Sequence, residues 1–228
     1  MTFPGGTSIS RLAVYDDAGG TPHMHTVSTE AYVVIGGAGA VQTLDRSGFR
    51  ETPLATGSTV WFGPGVIHRA VNHDGLRVLV IMSNAGLPEA GDAVMTFPPD
   101  VLADPERFRA TSTLPKGDGV SEAVRRRREL AVGGFEYLVT RMRAGDPGPL
   151  EDFYASAAAL VRPRIGDWRR IWQSTVEADV RRTAAVLDAL DRGDFGHLSN
   201  GSVRESPQSA ETRWGMCGHL HTHDVSGR

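Results

Sequence analysis

His23 and His25 are separated by one residue, and Glu30 follows five positions after His25. On a strand, side chains two apart point to the same face, so both imidazoles would project together. The intervening Thr26-Val27-Ser28-Thr29 is long enough for a bend that returns the Glu30 carboxylate to the same interior. A third imidazole, His68, follows Gly63-Pro64-Gly65, where a tight turn would start a further strand. Three imidazoles and one carboxylate suit a divalent first-row metal with one or two positions left open. Such a centre can bind an oxygen-bearing substrate, activate O2 if the metal is redox-active, or act as a Lewis acid.

The elements that must hold these groups are short. Before residue 100, β-branched and aromatic runs alternate with turn residues: Arg11–Tyr15, Ala31–Ile35, Ala40–Leu44, Thr59–Phe62, His68–Asn72 and Arg77–Met82. Many short strands at near-regular spacing indicate a sandwich or barrel. Gly36-Gly37-Ala38-Gly39 ends one run without opening a helix and reads as a hairpin turn; Asn72–Gly75 reads as another. Past Pro98-Pro99 the pattern becomes helical. Val124, Ala131, Phe135, Leu138 and Met142 form one stripe across Ser121–Arg143, weakened by Gly133-Gly134. A second helix is expected over about Leu150–Val161, ended by Pro163, and a third from an Asp167 N-cap to Arg192. Trp168, Trp172, Val176, Val180, Leu187 and Leu190 lie close to one face of that third helix. The expected organisation is a β-barrel over 1–100, helices over 101–195 and a flexible, histidine-containing tail over 196–228.

Two segments carry a family pattern. Gly20-Thr21-Pro22-His23-Met24-His25, Glu30 and Gly37 give His-x-His-x4-Glu-x6-Gly; Gly57-Ser58-Thr59-Val60-Trp61-Phe62-Gly63-Pro64-Gly65, His68 and Asn72 give Gly-x2-His-x3-Asn. In these the chain resembles the cupin superfamily over roughly residues 10–97. Two turn positions depart from the pattern: the first-motif glycine lies nearer the histidines than usual, and the second-motif proline stands at Pro64 rather than at the place of Gly63. The resemblance implies a mainly β fold, a cupin double-stranded β-helix or jelly-roll barrel, here followed by a small all-α region. It implies metal ligation by His23, His25, Glu30 and His68, with iron favoured and manganese, nickel, cobalt or zinc as alternatives. It also implies a homodimer paired through sheet edges.

Strand alternation places Tyr32 and Val34 inward with Glu30, which makes Tyr32 a candidate substrate contact through its hydroxyl or, equally, a core filler. Asn72 is expected to secure its turn, Arg69 to face away from the metal and His73 to be a solvated loop residue. No catalytic acid, base or nucleophile is identified, and no Ser-His-Asp triad, P-loop or dinucleotide fingerprint is present.

Composition is ordinary, with 40% hydrophobic and 22% charged residues, a net charge of −3 and a pI near 6.2. No large positive field invites nucleic acid or anionic membrane. No apolar run is long enough to span a bilayer, and the N-terminus lacks a secretory pattern. The single cysteine, Cys217, fits a reducing compartment, so a cytoplasmic protein is expected. Arg125–Arg128 read as a solvated helix end paired with Glu122 and Glu129 rather than as a phosphate site. Cys217, His219, His221 and His223 either grip a second metal, fold over the barrel mouth or belong to a disordered end, and disorder is favoured.

The functional expectation is a metal-dependent oxidoreductase of the dioxygenase type acting on a small organic substrate. The alternatives are a redox-neutral isomerase, epimerase or lyase on a sugar or keto acid, and a non-catalytic ligand-binding barrel.

Overall fold

The computed structural model describes residues 3–17, 19–207 and 209–223, so residues 208 and 224–228 of the expected tail lie outside the described part. Its first part is an antiparallel sheet built from β1 (Ser8–Val14), β2 (His23–His25), β3 (Glu30–Asp45), β4 (Gly48–Ala55), β5 (Thr59–Phe62), β6 (Ile67–Met82) and β7 (Ala93–Met95). Helices follow: α1 (Pro99–Leu102), α2 (Pro105–Ser112), α3 (Val120–Arg143), α4 (Gly148–Val161), α5 (Ile165–Trp172) and α6 (Ala178–Asp191). Two late strands, β8 (Arg213–Trp214) and β9 (Gly218–Thr222), return to the sheet. The main path runs β4-β3-β6-β1-β9-β8, with β2 on β6 and β7, and β5 on β3. This is the cupin-type barrel followed by helices that the sequence implies.

Four expected strands merge into two. β3 runs through Gly36–Gly39, and β6 runs through Asn72–Gly75, so neither segment is a hairpin turn. Both lie in irregular parts of one ladder, with register shifts between Val34 and Gly36 and between Ala38 and Gly39. Gly37 has φ 74°, and a Cβ there would meet the Asp74 carbonyl oxygen at 2.3 Å. The glycines therefore serve close strand approach at a bulge, not chain reversal. Asn72 secures this bend. It donates to the Val14 carbonyl at 3.1 Å and to Asp16 at 2.8 Å, and accepts from the Leu76 amide at 2.9 Å.

Alternation along β3 buries Tyr32, Val34 and Val41, which meet Leu12, Leu54, Phe62, Ala70, Val78 and Cys217 in the barrel interior. A second core lies outside the barrel, where Met24, Leu44, Ile67 and Val94 pack against Phe135 and Leu138 of α3, Phe153 of α4 and Trp168 of α5. Gly134 permits this docking, because a Cβ there would lie 1.9 Å from the Thr96 carbonyl oxygen; Gly133 faces open space. The Gly-Gly pair thus places a close contact in the helix, at one of its two positions.

The arginine run divides. Arg125 and Arg126 pair with Glu122, and Arg125 also with Glu129, as expected. Arg127 and Arg128 instead turn inward and are buried. Arg127 donates to the Gly215 carbonyl at 2.9 Å, and Arg128 pairs with Asp17 at 2.7 Å. Four consecutive helical positions cover about 300°, so a run of one residue type must include the packed face. The third helix also differs from expectation. It starts at Ile165 with Asp167 inside its first turn, and it passes through a π-helical turn over Gln173–Glu177.

The segment expected to be loose contains β8 and β9. β9 pairs with β1 over Ser10↔Thr222 to Val14↔Gly218. Gly218 allows the approach, since a Cβ there would sit 2.0 Å from the Ala13 carbonyl oxygen. The free edge of β1 supplies the hydrogen-bonding template that orders this weakly β-prone segment.

Candidate metal centre

β2 lies antiparallel to β6 with His23 opposite His68, and the burial alternation of β3 turns Glu30 into the same interior. His25, two residues along β2, joins them. The four side chains are all buried, and one ligand-type atom from each lies within 4.8 Å of the others. Two ligands on opposite sides of an ion at about 2.1 Å would be about 4.2 Å apart, so this spacing is close to a coordination sphere.

The second layer fixes which nitrogen faces inward. His23 Nδ1 lies 2.8 Å from the Thr21 carbonyl, and His68 Nδ1 lies 3.1 Å from the Val66 carbonyl. A carbonyl only accepts, so both Nδ1 atoms carry hydrogen and leave Nε2 with a lone pair. His25 Nδ1 lies 2.6 Å from Asp92 Oδ1, and Asp92 Oδ2 accepts from the Ser28 amide at 3.0 Å. All three rings are thereby held with Nδ1 outward and Nε2 inward, the arrangement that orients metal-bound histidines.

The inward atoms suit a cation. Glu30 Oε2 is 3.2 Å from His25 Nε2 and 3.0 Å from His68 Nε2. Glu30 Oε2 and His68 Nε2 are buried, and neither makes a hydrogen bond of good geometry. Burial would push the Glu30 carboxyl up, but the neighbouring imidazoles of His68 and His25 outweigh it and hold it well below the usual range. Burial, then the adjacent His68 and His25, hold His23 well below its ordinary value. For His25, burial opposes the charge, but the adjoining Asp92 and Glu30 carboxylates prevail and raise it to about 10. An anionic carboxylate, a neutral His23 and three inward-facing imidazole nitrogens fit a divalent cation, which would displace the His25 proton.

The surroundings are apolar. Phe62 lies tilted against His68 at 4.1 Å between ring centroids, and Tyr32 meets Phe62 edge-on at 5.4 Å. Tyr32 is fully buried, and its hydroxyl points to Cys217 Sγ at 3.9 Å. Burial raises the phenol well above its ordinary value and the Cys217 thiol to about 11. The structure therefore brings all four expected ligands together. It adds Asp92, which carried no signal except in hindsight as a buried acid in a Gly-Asp turn, and Cys217, delivered by β9.

The tail histidines do not converge. Among the described residues the only group of three or more histidine, cysteine or carboxylate side chains able to share an ion is the barrel group. His219 packs in an aromatic cluster 4.5 Å from Trp214 and 5.2 Å from Tyr15, while His223 is bonded to the Ser206 carbonyl. Among the described residues, no helix is long and apolar enough to cross a membrane.

Comparison with known proteins agrees with this architecture. A cupin domain model matches residues 12–82. No protein with a curated description matches the chain. Solved structures that resemble it include the WlaRB TDP-quinovose 3,4-ketoisomerase from Campylobacter jejuni, at 15% identity over 33% of this chain and 60% of that one, with a TM-score of 0.31. They also include QdtA, a sugar 3,4-ketoisomerase from Thermoanaerobacterium thermosaccharolyticum in complex with TDP, at 16% identity over 38% and 64%, TM-score 0.34. A third is Pac13, a nucleoside dehydratase, at 12% identity over 36% and 62%, TM-score 0.30. This chain thus spans 60–64% of the length of those structures, and likenesses of this size carry no argument about activity. Residues 12–82 of this chain are a cupin domain.

Proposed function

We propose that this chain is a metalloenzyme of the dioxygenase type, holding one divalent ion, iron by preference, on His23, His25, Glu30 and His68. The observation that carries the reading is the set of three imidazoles held with Nδ1 outward and Nε2 facing one buried carboxylate oxygen. When bound, the ion supplies a Lewis-acid and redox centre for a small oxygen-bearing substrate and O2.

The chain's own residues define the rest. Asp92 holds His25 in place and keeps its Nδ1 proton directed outward. Phe62 and the neighbouring aliphatic wall keep bulk water from the centre. Tyr32 is the candidate contact for a bound substrate, its hydroxyl acting as a neutral donor because its pKa is raised. A redox-neutral enolisation would need a base beside the substrate. Among the described residues next to the ligands, Asp92 is committed to His25 and Ser28, and Tyr32 and Cys217 are held protonated at neutral pH. That balance favours chemistry in which the ion itself exchanges electrons. A cytoplasmic location accords with the lone free cysteine.

The test is elemental analysis of protein purified without an affinity tag, followed by O2-uptake assays with small hydroxy, keto and thiol acids. Near-stoichiometric iron with substrate-dependent O2 uptake supports the proposal. Zinc content with no O2 uptake by the iron-reconstituted protein would sink it.

A further inference from the structure

Asp92 orients His25, yet its own backbone belongs to a connection, residues 83–92, that contains neither helix nor strand. Whatever holds that connection therefore also holds the ligand. Within it, the Asp92 amide donates to the Leu87 carbonyl at 3.3 Å and the Gly91 amide to the Pro88 carbonyl at 3.0 Å. On its barrel side, Asp92 ties down the end of β2. Its carboxylate meets His25 Nδ1 at 2.6 Å and the Ser28 amide at 3.0 Å, and its carbonyl accepts from the Thr26 amide at 3.0 Å. A tilt of this backbone would carry the His25 ring with it.

The opposite side is gripped by the third helix. Arg164, immediately before α5, donates through Nη1 to the Gly91 carbonyl at 3.0 Å and through Nη2 to the Ala90 carbonyl. Trp168 Nε1 lies 3.4 Å from the same Ala90 carbonyl, and the Arg164 guanidinium stands 5.6 Å from the Trp168 ring centre. These are the two carbonyls that precede Asp92 in the chain. Gly91, at φ 80°, leaves room for the guanidinium, since a Cβ there would come within 2.7 Å of Nη1. Further along, a Cβ at Gly86 would meet Ile171 Cγ2 at 2.6 Å, and the Thr175 hydroxyl donates to the Ala85 carbonyl at 3.2 Å. Arg164, Trp168, Ile171 and Thr175 recur at intervals of four, three and four, so one helix face follows the connection from end to end.

Docking alone would be served by apolar burial, which Trp168 supplies. Arg164 is exposed and adds little of it, yet directs both terminal nitrogens at one dipeptide. A rigid, planar fork of donors fixes two successive carbonyls in a way that a single bond cannot. We propose that Arg164 and Trp168 are positioning residues for the metal centre. They hold the Ala90–Gly91 backbone so that Asp92 keeps the His25 ring with Nε2 facing Glu30. The consequence for ion binding rests on the metal-centre reading; the grip on His25 does not. The helical region thereby acts on the barrel site from outside it.

Proton exchange in the metal-free full chain tests this. The His25 Nδ1 proton, identified by its loss in Asp92→Ala, is followed by NMR. Arg164→Ala should speed its exchange by about tenfold with unchanged circular dichroism, since Arg164 is exposed. Arg164→Lys should restore part of the protection, because an ammonium can still reach one carbonyl. Trp168→Phe keeps a ring and removes the longer bond, so its effect should be smaller. Arg46→Ala, which breaks an exposed ion pair between the barrel and α4, should change nothing. With metal added, Arg164→Ala should weaken binding by about threefold to tenfold in chelator competition, less than loss of Asp92 itself. Wild-type exchange in Arg164→Ala overturns the proposal. So does equal acceleration by Arg46→Ala, which would show a general loosening of the helices rather than a grip on Asp92. A chain that binds no ion would refute the metalloenzyme reading alone, and the exchange comparison would still decide this one.

Discussion

The chain has two sets of histidines on strands at alternating positions, and only one forms a centre. His23 and His25 on β2 meet His68 and Glu30 from two other strands, inside a barrel. His219 and His221 lie on β9 and His223 just follows it, where successive same-face side chains are about 6.5–7 Å apart. His23 and His25 have the same spacing on β2, so what the tail lacks is further groups from other strands: among the described residues no histidine, cysteine or carboxylate cluster forms there. Ligation requires convergence of separate segments, and each barrel imidazole also has an acceptor that turns its Nε2 inward. In the tail, His219 Nδ1 and His221 Nδ1 are buried without a hydrogen-bond partner, and nothing fixes their tautomers.

The sharpest way to break this contrast is to remove barrel ligands. His23→Ala/His68→Ala should reduce bound metal from about one per chain to below about a tenth, measured by elemental analysis against a fold check by circular dichroism. Retention of metal by that variant would move the centre to the tail. Asp92→Ala should come next, weakening metal binding by about 10–100-fold in chelator competition, because His25 loses its orienting partner. It should also lower stability by about 1–3 kcal/mol through the unpaired Ser28 amide.

A pH series gives a smaller, graded effect. His25 has a folded value of about 10 against an ordinary 6.5. In the metal-free protein its stabilisation is full below about pH 6.5 and fades as pH rises towards 10. Metal binding has the opposite slope, since the ion displaces that proton. Affinity should rise by up to about tenfold per pH unit between 7 and 9, and a flat profile would show that His25 carries no proton to lose. The smallest change is expected from His219→Ala/His221→Ala/His223→Ala. Metal content should be unchanged, with about 0.5–1.5 kcal/mol lost in thermal unfolding from the His219 aromatic contacts.

The four candidate ligands were legible because each is tied to local turn chemistry, such as Gly63-Pro64-Gly65 before His68, and to a period of two along a strand. Asp92 was not, since it reaches His25 across 67 positions from a loop. The inward turn of Arg127 and Arg128 could not be read without knowing which face of α3 meets Asp17 and Gly215. Gly134 was legible as a weak point in a helix but not as the site of a backbone contact with Thr96. The strand over 218–222 was missed because its order derives from the β1 edge, not from its own composition.

That edge has a temporal consequence. β1 pairs with β6 on one side, but Ser10 pairs with Thr222 on the other, so that second edge waits for almost the last described strand. At translation rates of about 5–20 residues per second, the wait is on the order of 10–40 s. His23, His25, Glu30, His68 and Asp92 are all synthesised well before β9. The ligands can therefore gather while the flank that Cys217 later fills is still open, and the barrel wall is completed last.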